Sequence, residues 1–284
     1  IFANAKNAVA AGGRSRVVFA EGEDERVLRA VQVVVDEKLA KPILIGRPEV
    51  VERRLQRYGL RMRPGQDFEL VNPQYDVRYR DYSDTYHRMA ARRGVNSQYA
   101  KIEMRRRHTL IGAMMIVKDD ADSMICGTFG NHKLHLHYVD QVIGRRPGCG
   151  VYAALNILML PGRQLALVYT HVNVDPTAEQ VAEITVLAAE EMRRLGLEPA
   201  AALVSHSSFG SSDTASAVKM REALALVRDR APDLEIYGEM HADVALDVPL
   251  RRSLMPFSTL NGEANLIVCP NIDAANIAYN LLKT

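Results

Sequence analysis

The chain has 284 residues, 48% hydrophobic and 25% charged, an ordinary globular make-up with length enough for two α/β lobes. A formal net charge of +2 with no acidic or basic tail excludes a nucleic-acid partner held by bulk charge. No apolar run approaches the roughly 20 residues that a membrane-spanning helix needs. The three cysteines, Cys126, Cys149 and Cys269, are far apart and odd in number, which fits reduced thiols in the cytoplasm better than disulfides or a zinc site.

The opening "IFANAKNAVAAGGR" has alanines but no sustained apolar core, so it does not read as a signal peptide. Because the sequence starts at Ile1 rather than Met, it is expected to be a piece of a longer protein. "RVVFA" (16–20) reads as a strand. In 24–39, Val27, Leu28, Val31, Val34 and Val35 recur at helical spacing behind Asp24, a good N-cap. "PILIG" (42–46) is the next strand, and Pro48 opens the next helix at its first turn. This alternation predicts a parallel sheet covered on both faces. A Tyr- and Arg-rich stretch, 72–94, precedes a helix near 97–115, a strand in "SMICGT" (123–128) and a helix over 132–144. "GRRPGCG" (144–150) breaks both helix and sheet, which predicts an N-terminal lobe over 1–147 and a second lobe over 148–284. The second lobe starts with two strands joined hairpin-fashion by "PGR", then a helix over 176–195 ended by Gly196. Strand and helix then alternate: strand 200–204, helix 214–230, strand 235–238, helix near 242–252, strand 265–269, helix 274–282.

Ligands of open α/β sheets sit beyond the carboxyl ends of the strands. There the sequence places "EGEDE", "GTFGN", "THVNVDPT", "SHSSFGSS", "GEMHAD" and "PNIDAAN". "SHSSFGSS" (205–212) offers hydroxyls and backbone N–H groups at a helix start, a cradle for an anion; the alternative is a plain capping loop. It has no GK[ST] and is not a P-loop. "GEMHAD" brings Glu239, His241 and Asp243 together, as acid–base work requires, unless Asp243 or His241 caps the following helix. "THVNVDPT" offers His171, Asn173 and Asp175, with Asp175 a natural N-cap ahead of Pro176. His132, His135 and His137 do not make a metal box, because His137 points away from the face the other two share. The arginines in 88–93 and 105–107 fit either a phosphorylated ligand or a solvated face.

In order along the chain, "AEGEDERVLRA", "KDDADSMICG", "PTAEQVAEI", "ALVSHSSFGSS", "GEMHADVAL" and "GEANLIVCPNIDAANIAYN" resemble the phosphate acetyl/butyryltransferase family. "GEMHAD", "SHSSFG" and "NIAYNLLKT" resemble more narrowly the C-terminal domain of hybrid, NADP-type bacterial malic enzymes. The resemblance implies two α/β/α lobes with mainly parallel sheets, a cleft between them that binds coenzyme A thioesters, and a homodimer through the second lobe. It implies an acetyl-CoA or anion site built from Ser205, His206, Ser207, Ser208, Gly210, Ser211, Asn173, Glu239, Asp243, Asn276 and Asn280.

The departures share a sign. The family's "S-F-S-T-K-G-S" lysine falls at Phe209, its "K-A-P" lysine at Leu254, and its "S-T-x-D-T-x-R-P" arginine at His137. The lysine and arginine of "N-I-G-Y-K-x-x-Q-R" fall at Asn280 and Thr284. The family's catalytic "S-R-G-C" segment would follow Thr284, where this sequence ends. Acetyl transfer to phosphate needs cations for the dianion and the oxyanion, each such contact worth roughly 1.5–3 kcal/mol. The expectation is therefore an acetyl-CoA-binding regulatory domain of a malic enzyme, with no transferase activity and no metal or cofactor of its own. NADP and a divalent metal would belong to an upstream malic enzyme module, and the full enzyme would be a higher homo-oligomer. Two other readings stay open: a working phosphate acetyltransferase with arginines from 88–93 or from a tail following Thr284, and a purely structural dimerisation module.

Overall fold

The computed structural model describes residues 2–168 and 172–284. It divides into two compact units, 1–144 and 145–284, parting within the Gly- and Pro-rich segment 144–150. His171 lies outside the described residues.

The first unit begins with α1 (Phe2–Gly12) and builds a four-stranded parallel sheet in the order β3-β2-β1-β4, with β1 Arg16–Phe19, β2 Lys41–Ile45, β3 Glu69–Val71 and β4 Ser123–Ile125. Strand alternation sends Val18, Ile43 and Ile45 to one face, and Phe19 and Leu44 to the other. Helices α2 (Glu25–Asp36) and α3 (Pro48–Arg57) bury Val27, Leu28, Val31, Val51 and Leu55 against Phe19 and Leu44. As expected, Asp24 caps α2, accepting from Arg26 N at 2.9 Å. The opposite face is covered by α4 (Tyr79–Ala90), α5 (Ser97–Arg106), α6 (His108–Val117) and α7 (His132–Val142).

The expected single helix near 97–115 is two helices. Arg107 is extended at the break, its Nε donating to Glu103, while His108 Nδ1 lies 3.0 Å from Ala20 O. The Tyr- and Arg-rich stretch also contains α4, which buries Tyr79, Tyr82, Tyr86 and Ala90 along one stripe.

The second unit carries a five-stranded sheet in the order β5-β6-β9-β7-β8: β5 Leu155–Leu160, β6 Arg163–Val168, β7 Ala200–Val204, β8 Glu235–Met240 and β9 Leu266–Val268. β5 and β6 form the expected antiparallel hairpin; the remaining pairs are parallel. Helices α8 (Ala178–Arg194), α9 (Ala215–Arg230) and α12 (Ile272–Leu282) contribute to one continuous apolar core with this sheet.

Two local expectations are corrected. Thr177, not Asp175, caps α8: its side chain accepts from Gln180 N while Gln180 Oε1 accepts from Thr177 N, a full capping box. Asp175 instead pairs with Lys219 of α9 at 2.6 Å. Thr177→Ala should lower stability by about 1 kcal/mol in chemical denaturation, whereas Asp175→Ala should change it by less than about half that, since the Asp175 side chain is exposed. The expected helix near 242–252 is also two, α10 (Ala242–Leu246) and α11 (Val248–Leu254). Asp247 turns extended between them and accepts from Leu250 N, with Pro249 in the first turn of α11.

No helix among the described residues is long and apolar enough to cross a membrane. All three cysteines are free, and burial pushes the Cys269 thiol up to about 12.

Candidate functional site

The serine loop leaves the carboxyl end of β7 beside the end of β8, and its geometry follows from Glu239. Gly238, with φ +152°, passes so close to β7 that a Cβ would sit 2.6 Å from Leu203 O, so only glycine fits there. The next residue, Glu239, is fully buried, with its carboxylate under the loop. Oε1 accepts from Ser207 Oγ at 2.7 Å, Gly210 N at 3.0 Å and Arg221 of α9 at 3.1 Å. Burial alone would push this carboxyl up; the bonds from Ser207, Gly210 and Arg221 outweigh it and hold its pKa below the ordinary value. Oε2 has no partner among the described residues.

The rest of the loop closes on itself. Ser207 N donates to Ser205 Oγ, Ser208 N to Ser211 Oγ, Phe209 N to Glu239 O, Ser211 N to Ser208 O, and Ser212 N to Ser207 Oγ. The loop thus cradles an anion of the protein's own, the Glu239 carboxylate. The expectation that loop N–H groups are free for a ligand is corrected, because those of residues 207–212 each have an internal acceptor. Ser207 is itself fully buried. His206, Gly210 and Ser211 are exposed, and Ser205 and Ser208 are partly so. His241 joins the loop from the other side: its N–H donates to Ser208 Oγ, and its Nε2 lies 2.8 Å from His206 O.

Glu239 and Asp243 do not form a facing acid–base pair. Glu239 is sealed, while Asp243 is exposed on α10 and accepts from Val244 N. Neither His241 nor Asp243 makes the expected side-chain cap of α10. Asn173 Nδ2 donates to Tyr152 O at 2.7 Å, fixing the segment after β6, where Val174 O receives Ile272 N of α12. Asn276 and Asn280 lie one turn apart on α12, the Asn280 amide donating to Asn276. Neither belongs to the Glu239 network.

At the positions compared with the transferases, Phe209 has a left-handed backbone (φ +54°) and sets its ring 5.8 Å from Tyr237. Leu254 is exposed at the end of α11, and Thr284 Oγ1 donates to Leu281 O. His137 sits exposed on α7 of the first unit, edge-on to Tyr138.

Arg221 is the residue that sequence reasoning missed. Besides Glu239 it donates to Ser212 O and Asp213 Oδ1, so both the loop and this guanidinium are committed internally, while Arg228, bordering the same hollow, lies over the Tyr237 ring at 5.3 Å. In the first unit "EGEDE" and "GTFGN" do meet: Glu21 Oε1 accepts from Gly127 N, and Arg26 donates to Thr128 O. They border a cavity of about 240 Å³ where Thr109 Oγ1 lies 2.7 Å from His135 Nδ1. Among the described residues, no group of three or more His, Cys, Asp or Glu could hold a metal ion.

The chain is an α/β protein of two units, the second carrying a hydroxyl-rich loop at its strand ends. A phosphotransacetylase from Streptococcus pyogenes has the same fold, with a TM-score of 0.84 and 28% identity over 96% of this chain and 82% of that one. The profile of the phosphate acetyl/butaryl transferase family matches residues 1–284, and the chain belongs to that family. Its relatives include an NAD-dependent malic enzyme of Rhizobium meliloti, 54% identical over 284 residues, and an NADP-dependent malic enzyme of Salmonella typhimurium, 51% identical over 268 residues. The chain covers 100% and 94% of itself in these matches but only 36% and 35% of the relatives, about a third of their length.

Proposed function

We propose that this chain is the acetyl-CoA-binding regulatory domain of a malic enzyme and does not itself transfer acetyl groups. The parent reaction would be oxidative decarboxylation of malate to pyruvate in an upstream module, with NAD or NADP, since relatives of both kinds exist. The parent would act as a homo-oligomer, with this chain pairing through its second unit. Acetyl-CoA lies downstream of pyruvate, so it suits a feedback effector. If it weakens the binding of a ligand upstream, that ligand weakens acetyl-CoA binding equally.

One observation carries the reading: among the described residues, each cation beside the serine loop is turned to another group of the protein. Phe209 packs on Tyr237, Arg221 is divided between Glu239, Asp213 and Ser212 O, Lys219 is held by Asp175, and Arg228, which borders the same hollow as Phe209 and Gly210, sets its guanidinium over the Tyr237 ring at 5.3 Å. Phosphate as acetyl acceptor needs a cation beside it. A thioester needs only hydrogen-bonding groups on the outer rim, which His206, Ser208 and His241 can supply.

The test is titration calorimetry with acetyl-CoA. His206 is exposed, so His206→Glu should leave folding intact and, by setting a negative charge on the rim, weaken binding about tenfold or more. An unchanged affinity would place the ligand elsewhere, and no heat of binding in the unsubstituted protein would favour a purely structural role.

A further inference from the structure

The first unit holds a groove of about 710 Å³ that shares no residue with the serine-loop site. It is bounded by segment 74–77, the start of α4 and the outer side of α5. Three cations line it, Arg80 from α4 and Lys101 and Arg105 from α5. Among the described residues none of the three has an ion-pair or hydrogen-bond partner. Three of the carboxylates nearby are engaged. Asp76 is gripped by Arg78 through both oxygens, at 2.8 and 2.7 Å. Asp81 pairs with Lys118 at 2.8 Å, and Glu103 is buried against Arg107 at 3.0 Å. Asp84, one turn beyond Arg80, makes no ion pair with it.

A second observation is independent of the charge. Ser83 is 4% exposed and lines the groove, yet its hydroxyl bonds to no group among the described residues and is not sealed from solvent. A helical serine ordinarily returns its hydroxyl to the carbonyl four residues back; this one is left open to the groove. At the rim, Tyr75 is 81% exposed, a flat ring beside guanidinium groups. Such a ring stacks on a planar base.

We propose that this groove binds a nucleoside 5′-di- or triphosphate whose terminal phosphate is free, unlike the capped pyrophosphate of coenzyme A, with Arg80, Lys101 and Arg105 on the phosphates, Ser83 Oγ on a phosphate oxygen and Tyr75 under the base. Three converging cations match a compact multiple anion better than a single carboxylate, and arginine's planar fork suits phosphate oxygens. The inference does not rest on the proposed function.

The experiment is calorimetric titration of the 284-residue protein with ATP, pyrophosphate and adenosine. ATP should bind more tightly than pyrophosphate, and adenosine far more weakly than either. The exposed double variant Lys101→Ala/Arg105→Ala should weaken ATP about thirtyfold or more, and Ser83→Ala about threefold. Raising the salt concentration should weaken ATP more in the unsubstituted protein than in the double variant. Acetyl-CoA binding, followed in the same samples, should not change. Equal ATP affinity in the double variant overturns the proposal, as does an absence of binding by both ATP and pyrophosphate. A parallel loss of acetyl-CoA binding in the double variant overturns the claim of a separate site.

Discussion

Replacing Glu239 by alanine should destabilise the second unit by about 3 kcal/mol or more. The change strips the acceptor from Ser207 Oγ, Gly210 N and Arg221 together, and leaves the fully buried Ser207 hydroxyl without its carboxylate. Glu239→Gln keeps an oxygen for Ser207 and Gly210, so its loss should be smaller. The pair also predicts a pH dependence. The folded carboxyl is held below its ordinary value, so its charge contributes stability above the unfolded carboxylate value, about 4.3. That contribution disappears as pH falls through the folded pKa. Chemical denaturation at neutral pH and at progressively lower pH should therefore show the gap between the unsubstituted protein and Glu239→Gln closing on the acid side. A gap that stays constant with pH would mean that Glu239 is not the loop's internal anion.

The second large effect is expected at Arg251. This side chain is 1% exposed at the centre of α11, and its guanidinium is a clamp on four carbonyls. It donates to Val244 O and Ala245 O at 3.2 Å, to Leu260 O at 3.3 Å, and to Gly262 O. These bonds tie α10 to the segment leading into β9, where Ala264 N also donates to Ala245 O. Arg251→Ala should cost about 4 kcal/mol, from orphaned carbonyls and an unfilled volume. Arg251→Met refills the space without the donors and should recover only part of this. Hydrogen exchange at Ala264 N should accelerate in both. A loss below about 1 kcal/mol in the alanine variant would show that water replaces the clamp without penalty.

What was legible in the sequence followed locality. Asp24 ahead of Val27, Leu28 and Val31 announces α2, and the turn "PG" between two apolar runs announces the β5–β6 hairpin. The stripe of Tyr79, Tyr82, Tyr86 and Ala90 was equally present, but surrounding arginines masked its period. Asp175 looked like a cap because it precedes Pro176, yet Thr177 wins, since only Thr177 has Gln180 three residues on to complete the box. The breaks at Arg107 and Asp247 came from partners that a helical pattern does not display, such as Ala20 O for His108.

The candidate site divides the same way. Five serines in one loop were visible, and so was their suitability for an anion. Which anion they hold was not, because Glu239 lies 32 residues beyond Ser207 and Arg221 sits on another helix. Only the β7–β8 register and the close passage at Gly238 bring the carboxylate beneath the loop. The substitutions at Phe209 and Leu254 stood out only beside the family's pattern, since an aromatic or an aliphatic residue in a loop has no local meaning.

Binding without turnover is tested most directly by supplying the protein, at an acetyl-CoA concentration that saturates it by calorimetry, with inorganic phosphate and following acetyl phosphate and free CoA thiol. The expected result is saturable acetyl-CoA binding and no acetyl phosphate above the protein-free control. Acetyl phosphate formed with many turnovers per protein molecule would contradict it and make the chain a working transferase.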